Sequence, residues 1–163
     1  TAWGFDDATL ETSVGQMLRA RRLTLATMES CTGGLLASTL TDVPGSSDYY
    51  RGGVVSYTNE VKALSGVDGD LIARHGAVSE AVARAMAAAV RQRYQADIGV
   101  GITGVAGPSE MEGKPPGTVY TAIDDGQGCR AFHTFWPGDR LVIKRRATTH
   151  ALFQLKKLLE GRP

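Results

Sequence analysis

The 163-residue sequence has two cysteines, three histidines and no long apolar run. Two cysteines do not make the disulfide framework of a small secreted domain. The cysteines and histidines lie far apart, without the C-x-x-C or H-x-x-x-H spacing of a metal site. No apolar stretch approaches the roughly 18 to 20 residues that span a bilayer. We therefore expect a protein without a bound metal, a cofactor or a membrane segment.

The chain also lacks an excess of charge of either sign. Its 18 lysines and arginines oppose 17 aspartates and glutamates, for a net charge of +1. This balance gives no electrostatic reason to expect nucleic acid or an anionic membrane as a partner. The N-terminal segment TAWGFDDATLE is acidic and polar, unlike a signal peptide. We predict a cytoplasmic protein that forms a single domain over residues 1–163.

Glycine is the residue that the sequence has in excess, because 20 of 163 positions exceed the average share of about 7%. Between the glycine clusters, hydrophobic spacing predicts alternating helices and strands and then a hairpin about DGQG. This order predicts a three-layer α/β/α sandwich with a mixed central sheet. The predicted helices cover 7–22, 31–42, 58–66, 68–75, 79–94 and 139–160, and the predicted strands cover 23–28, 54–57, 97–104, 118–124 and 129–136.

Ligands of open α/β sheets bind at the carboxyl ends of the strands. The first such end carries TMESCTGG, in which Ser30 stands between a predicted strand and a predicted helix. The backbone amides of Cys31, Thr32 and Gly33 would face an anion there, either a phosphate or the oxyanion of an acyl-transfer reaction. Gly33 and Gly34 would let a substrate come close. The alternative is that Ser30 is only a helix N-cap.

A serine nucleophile needs a general base. The three histidines lie outside the glycine-rich and strand-end contexts, and we interpret them as structural or surface residues: His75, His133 and His150. Lysine is the other base that pairs with serine. Lys62 follows the predicted strand 54–57. If that strand neighbours the predicted strand 23–28, Lys62 and Ser30 would emerge at the same edge of the sheet.

Lys62 could act as a base only if it were desolvated, and its alternative is a solvated helix lysine. Tyr57, at the same strand end, could hydrogen-bond the serine–lysine pair or simply pack on the sheet. Cys31 could compete as the nucleophile, because a helix N-terminus lowers the pKa of a thiol.

Two further segments complete the predicted site. Thr103 and Gly104 end a strand, where the backbone could donate to a carbonyl or phosphate oxygen. Arg140, in the segment GDR, starts the last helix and could bind a phosphate with two hydrogen bonds. Its alternative is a surface arginine paired with Asp139.

Several long segments resemble the CinA C-terminal domain family in the order in which the family has them. The family comprises the nicotinamide mononucleotide deamidases, also described as competence/damage-inducible proteins. The resemblance covers nearly the whole chain and rests on ESCTGGLLASTLTDVPGSSDYYRGGVVSYTNEVKALSGV (29–67), GAVSEAVARAMA (76–87), ITGVAGP (102–108), KPPGTV (114–119) and GDR (138–140).

The resemblance implies a metal-free amidohydrolase of pyridine nucleotide recycling, which converts nicotinamide mononucleotide to nicotinic acid mononucleotide and ammonia. It implies Ser30 as nucleophile, Lys62 as base and Tyr57 as an assisting group. It places Arg140 on the substrate phosphate. It also implies a homo-oligomer and, because no second domain accompanies this sequence, the stand-alone form.

A second hypothesis is a nucleotide-binding module of a competence or DNA-damage response, with little catalysis. Ser30 would then hold a phosphate, and Lys62 would be an electrostatic contact. Direct DNA binding is disfavoured by the net charge of +1.

Overall fold

A computed structural model describes residues 9–161 of the chain. The elements that it shows follow the predicted order, although the first residues of the helix predicted over 7–22 lie outside the described part. The helices are α1 Leu10–Arg21, α2 Leu35–Thr41, α3 Asn59–Leu64, α4 Gly69–His75, α5 Glu80–Arg93 and α6 Arg140–Leu159, and the strands are β1 Leu25–Glu29, β2 Tyr50–Val55, β3 Ile98–Gly104, β4 Thr118–Asp124 and β5 Cys129–Phe135.

The five strands form one mixed sheet in the order β2-β1-β3-β4-β5. β1 pairs in parallel with both β2 and β3, whereas β3–β4 and β4–β5 are antiparallel. The carboxyl ends of β1, β2 and β3 therefore meet at one edge of the sheet, as the strand-end argument requires.

Helices cover both faces of the sheet. On one face α1, α2 and α6 contribute Val14, Leu36 and Ile143 to a core that includes Leu25 of β1. On the other face α4 and α5 pack with Met28 of β1 in a second core. The predicted three-layer α/β/α sandwich is confirmed. No helix formed by residues 9–161 is both long and apolar enough to cross a membrane.

Two predicted boundaries were wrong, and glycine explains both. The helix predicted from residue 31 begins at Leu35, because Gly33 and Gly34 have left-handed φ angles of 59° and 100°. The strand predicted over 54–57 is β2, which starts at Tyr50 and ends before Tyr57. Glycine is common in loops, so the first residues of this strand were not predicted to be part of it. In the structure Gly53 lies within β2, where a Cβ would meet the β1 backbone.

Glycine also allows α5 to approach β3 closely. A Cβ placed on Gly101 would lie 2.5 Å from the carbonyl oxygen of Ala83 and 2.8 Å from the amide nitrogen of Ala87. Glycines within a strand allow either a backbone or a ligand to come close to it. The structure shows that the backbone of α5 does.

We expect Gly101→Ala to lower the free energy of unfolding by about 1–3 kcal/mol, because an added methyl group forces α5 away from the sheet. Urea unfolding followed by circular dichroism measures the change. Gly69→Ala is the control, since a Cβ at Gly69 meets nothing within 4 Å. Equal stabilities of the two variants would contradict the close-packing argument.

Candidate functional site

A cavity of about 660 Å³ opens at the edge where β1 and β3 end. Its wall is built from four loops at the carboxyl edge of the sheet, together with α3 and the start of α6. The residues that line it are Ser30, Cys31, Tyr57, Thr58, Asn59, Lys62, Ala77, Val78, Thr103, Gly104, Val105, Ala106, Gly107, Pro108, Ser109, Glu110, Met111, Glu112 and Arg140.

The amine of Lys62 meets the hydroxyl of Ser30 inside this cavity, with Nζ and Oγ 2.9 Å apart. Both residues are buried, and Lys62 is only 2% exposed. The same amine donates to the carbonyl oxygens of Ser56 at 2.8 Å and Tyr57 at 3.4 Å. The structure therefore brings together the two residues that the sequence placed at neighbouring strand ends.

Local structure explains how Lys62 arrives there. Thr58 caps α3, since its hydroxyl accepts from the amide of Val61 at 3.2 Å. From this short helix the Lys62 side chain extends to the carbonyl oxygens of the residues that follow β2. A solvated helix lysine, the alternative considered for this position, is not what the structure shows.

Burial lowers the pKa of Lys62 below its ordinary value of 10.5, because an ammonium ion loses hydration in the cavity wall. Electrostatic interactions with Cys31 and Glu112 act in the opposite direction but do not reverse the shift. The neutral amine that a general base requires is thus more accessible than it is for a lysine in water.

Cys31 lines the cavity but is a poor nucleophile. The thiol is 4% exposed, and burial raises its pKa to about 12. Very little thiolate exists near neutral pH at such a pKa. Burial outweighs every lowering contribution, and α2 begins only four residues later, so Cys31 does not lie at the helix N-terminus as expected.

The turn after Ser30 differs from the predicted anion site. The buried carboxylate of Glu29 accepts hydrogen bonds from the amides of Gly34, Leu36 and Ala37 and from the hydroxyl of Thr32. These amides belong to the start of α2, and they are not the predicted donors, which were the amides of Cys31, Thr32 and Gly33. Of those three, the amide of Gly33 donates to the carbonyl oxygen of Ser30 at 3.0 Å.

Two further predictions for this turn are corrected. The N-cap of α2 is Gly34, so Ser30 does not cap this helix. Thr32, Gly33 and Gly34, predicted to bind substrate, do not line the cavity. They face a separate depression together with Leu141 and Lys144 of α6.

Thr103 and Gly104 do line the cavity, at the end of β3. The buried hydroxyl of Thr103 donates to the carbonyl oxygen of Ala77 at 2.8 Å, which fixes the loop before α5. A Cβ on Gly104 would lie 2.7 Å from the carbonyl oxygen of Thr118 and 3.1 Å from Sγ of Cys31. Glycine is needed here for packing of the cavity wall.

Arg140 spans the cavity rim. Its guanidinium donates to the carbonyl oxygen of Gly107 and to the hydroxyl of Tyr57. Asp139 is the N-cap of α6, and its carboxylate accepts from the amide of Val142 at 3.0 Å. Asp139 therefore caps the helix, whereas the alternative considered above was an ion pair with Arg140. The Tyr57 side chain, 53% exposed, reaches Arg140 and not the serine–lysine pair.

The sequence did not reveal a set of hydrogen bonds that joins two loops in the opposite wall of the cavity. The carboxylate of Glu112 accepts from the amides of Ala77 at 2.8 Å and Val78 at 3.1 Å, and Nζ of Lys114 donates to the carbonyl oxygen of Val78 at 2.6 Å. Burial alone would raise the pKa of Glu112, but these amides and the Lys114 ammonium hold it below its usual value. The partners are separated by about 35 residues and lie in irregular loops, and no sequence motif indicates that they interact.

The histidines lie away from the cavity. His133 stacks on Tyr120 with ring centroids 4.4 Å apart, and His150 packs against Phe132 and Trp136. Within residues 9–161, no group of three or more His, Cys, Asp or Glu side chains could hold a metal ion.

The chain is similar to known proteins over most of its length. Residues 7–159 match the family profile of the CinA C-terminal domain. A CinA-like protein of Mycobacterium avium is 52% identical over 161 residues, which cover 94% of this chain and 37% of that protein. A CinA-like protein of Gemmatimonas aurantiaca is 52% identical over 139 residues, which cover 84% of this chain and 32% of the relative.

Solved structures give the same family. A competence-damaged protein (CinA) superfamily protein from Klebsiella pneumoniae superposes with a TM-score of 0.91 at 34% identity, covering 94% of this chain and 97% of that one. A CinA superfamily protein from Escherichia coli has a TM-score of 0.88 at 36% identity, covering 94% and 92%. With these matches and this fold, the chain belongs to the CinA C-terminal domain family.

Proposed function

We propose that the chain is a nicotinamide-nucleotide amidohydrolase, which hydrolyses the carboxamide of nicotinamide mononucleotide to nicotinic acid mononucleotide and ammonia. The 2.9 Å contact between Nζ of Lys62 and Oγ of Ser30 is the observation that carries the proposal. A buried amine that contacts a serine hydroxyl, at the edge where three parallel strands end, is the arrangement of a serine–lysine hydrolase. Such an enzyme would serve the recycling of pyridine nucleotides.

The contacts of Lys62 suit the first step. A neutral amine has two hydrogens and one lone pair, and the carbonyl oxygens of Ser56 and Tyr57 can accept the two hydrogens. The lone pair then faces the Ser30 hydroxyl and takes its proton. Oγ of Ser30 attacks the carboxamide carbon, whose reactivity the positive pyridinium ring increases.

The oxyanion that forms needs hydrogen-bond donors. The first amides of α2 cannot serve, because they already bind Glu29. We assign the role to the amide of Cys31, the residue after the nucleophile, since hydrolases with a nucleophile at a strand end use that amide. Lys62 next returns its proton to the departing ammonia, and water hydrolyses the acyl-enzyme.

Arg140 is assigned to the substrate phosphate. Its guanidinium lies at the rim, where Tyr57 and the Gly107 carbonyl orient it. A phosphate held there would place the nicotinamide ring deeper in the cavity, toward Ser30. Binding energy from this remote group positions the reacting carboxamide. Tyr57 would act by orienting Arg140 and by the contact of its carbonyl oxygen with Lys62.

We expect Ser30→Ala and Lys62→Met each to reduce ammonia release from nicotinamide mononucleotide by about 10³-fold or more, because each removes half of one nucleophilic unit. A coupled glutamate dehydrogenase assay measures the ammonia. Ser38→Ala is the control, since Ser38 lies on the exposed side of α2. Mononucleotide binding without ammonia release by the unmodified protein would favour the nucleotide-binding module and refute the amidohydrolase.

The activity should rise with pH. The reactive form of Lys62 is neutral, so kcat/KM should increase about tenfold per pH unit below the pKa of Lys62 and level off above it. Because burial lowers that pKa, the midpoint should lie below 10.5. Initial rates between pH 5 and 10 at constant ionic strength test this. A fall in kcat/KM with rising pH would contradict a lysine base.

Arg140→Met should raise KM for nicotinamide mononucleotide by about 10- to 100-fold, the effect of losing a charge-assisted contact with phosphate. The same substitution should change kcat/KM for nicotinamide riboside, which has no phosphate, by less than about threefold. Arg146→Met, an exposed arginine of the same helix, is the control. Equal losses on both substrates would show that Arg140 does not bind the phosphate.

A further inference from the structure

The side chain of Glu29 is deeply buried and has a full set of partners next to the nucleophile. It is 1% exposed, and Thr32, which is 0% exposed, donates its hydroxyl to Oε1 of Glu29 at 2.6 Å. The amides of Gly34, Leu36 and Ala37 donate at 3.2, 2.9 and 2.9 Å. A buried carboxylate without such donors would be strongly destabilising, so its position is determined by them.

We propose that Glu29 and Thr32 are positioning residues, which hold the turn after β1 so that Ser30 meets Lys62. The inference rests on the proposed function. Neither residue lines the cavity, so neither would contact a substrate bound there. Both act through the backbone that carries Ser30.

Strand geometry places Glu29 behind the nucleophile. Leu25 of β1 faces the core with α2, and Met28 faces the core with α5. Side chains alternate along a strand, so Glu29 faces the α2 side and Ser30 turns toward the cavity. The carboxylate thus fixes the turn from one face while the serine hydroxyl is presented on the other.

The helix that the turn leads into depends on this carboxylate. α2 has only seven residues, a glycine at its N-cap without a side-chain hydrogen bond, and no acidic residue in its first turn. Glu29, five residues before that N-cap, supplies both the missing cap and the negative charge that a helix N-terminus favours. Without it, two successive left-handed glycines would leave the turn free to change conformation.

The backbone of Glu29 also links the nucleophile to its base. The carbonyl oxygen of Glu29 accepts from the amide of Ser56 at 2.8 Å, and the carbonyl oxygen of Ser56 accepts from Nζ of Lys62. Lys62 in turn contacts Ser30 at 2.9 Å. Glu29, Ser56, Lys62 and Ser30 therefore form a closed ring, and Glu29 is the member whose side chain anchors that ring to α2.

The test compares two substitutions of Thr32. Thr32→Val keeps the shape and loses the hydroxyl that binds Glu29, whereas Thr32→Ser keeps the hydroxyl. Thr27→Val is the matched control, because Thr27 is a buried threonine of β1 whose hydroxyl meets Tyr50 at 2.7 Å and not Glu29. Measurements are kcat and KM for nicotinamide mononucleotide, the melting temperature, and a crystal structure of each variant.

We expect Thr32→Val to lower kcat by about tenfold or more with KM changed less than twofold, since a displaced nucleophile affects the reaction more than binding. Its crystal structure should show a displaced turn and a longer distance between Ser30 and Lys62. Thr32→Ser should stay within about threefold of the unmodified kcat. Thr27→Val should lower the melting temperature without lowering kcat.

Three results would overturn the inference. These are an unchanged kcat in Thr32→Val, an unmoved turn in its crystal structure, or an equal loss of kcat in Thr27→Val. If the unmodified protein releases no ammonia, the proposed function fails. The crystal structures of the two Thr32 variants then decide the positioning role alone.

Discussion

The candidate site depends on a lysine amine that is buried and in contact with a serine hydroxyl. A buried ammonium is costly unless it is paired, and Lys62 has two carbonyl oxygens and one hydroxyl as partners. The cost is reduced because burial lowers the pKa of Lys62, which makes the neutral amine accessible. The same burial that weakens the fold locally therefore increases the neutral fraction of the amine, as the proposed role of Lys62 as a base requires.

Three of the glycines allow the layers around this site to pack closely. Gly53 lets β2 lie close to β1, Gly101 lets α5 approach β3, and Gly104 leaves room for the Cys31 thiol and the β4 backbone. In each place the atom that comes close belongs to the protein itself. The cavity is thus bounded by closely packed backbone, which gives the Ser30–Lys62 pair a rigid surrounding.

The segment ESCTGG combines residues with four separate tasks. Ser30 faces the amine, Cys31 fills the cavity wall, and Thr32 binds Glu29 on the far side of the turn. The two glycines take the left-handed conformations that delay the start of α2. Small side chains are needed because a strand, a turn and a helix are joined within a few residues around one buried carboxylate.

The sequence by itself determined the layer architecture, because hydrophobic spacing and the order of elements reflect burial against a sheet. It also identified Ser30 and Lys62 as candidates, since residues at the ends of adjacent parallel strands share an edge. It could not predict that Glu29 occupies the helix amides, or that Glu112 holds the loop at Val78. Those contacts join residues through three-dimensional packing, and only the tertiary structure decides which donor a buried carboxylate reaches.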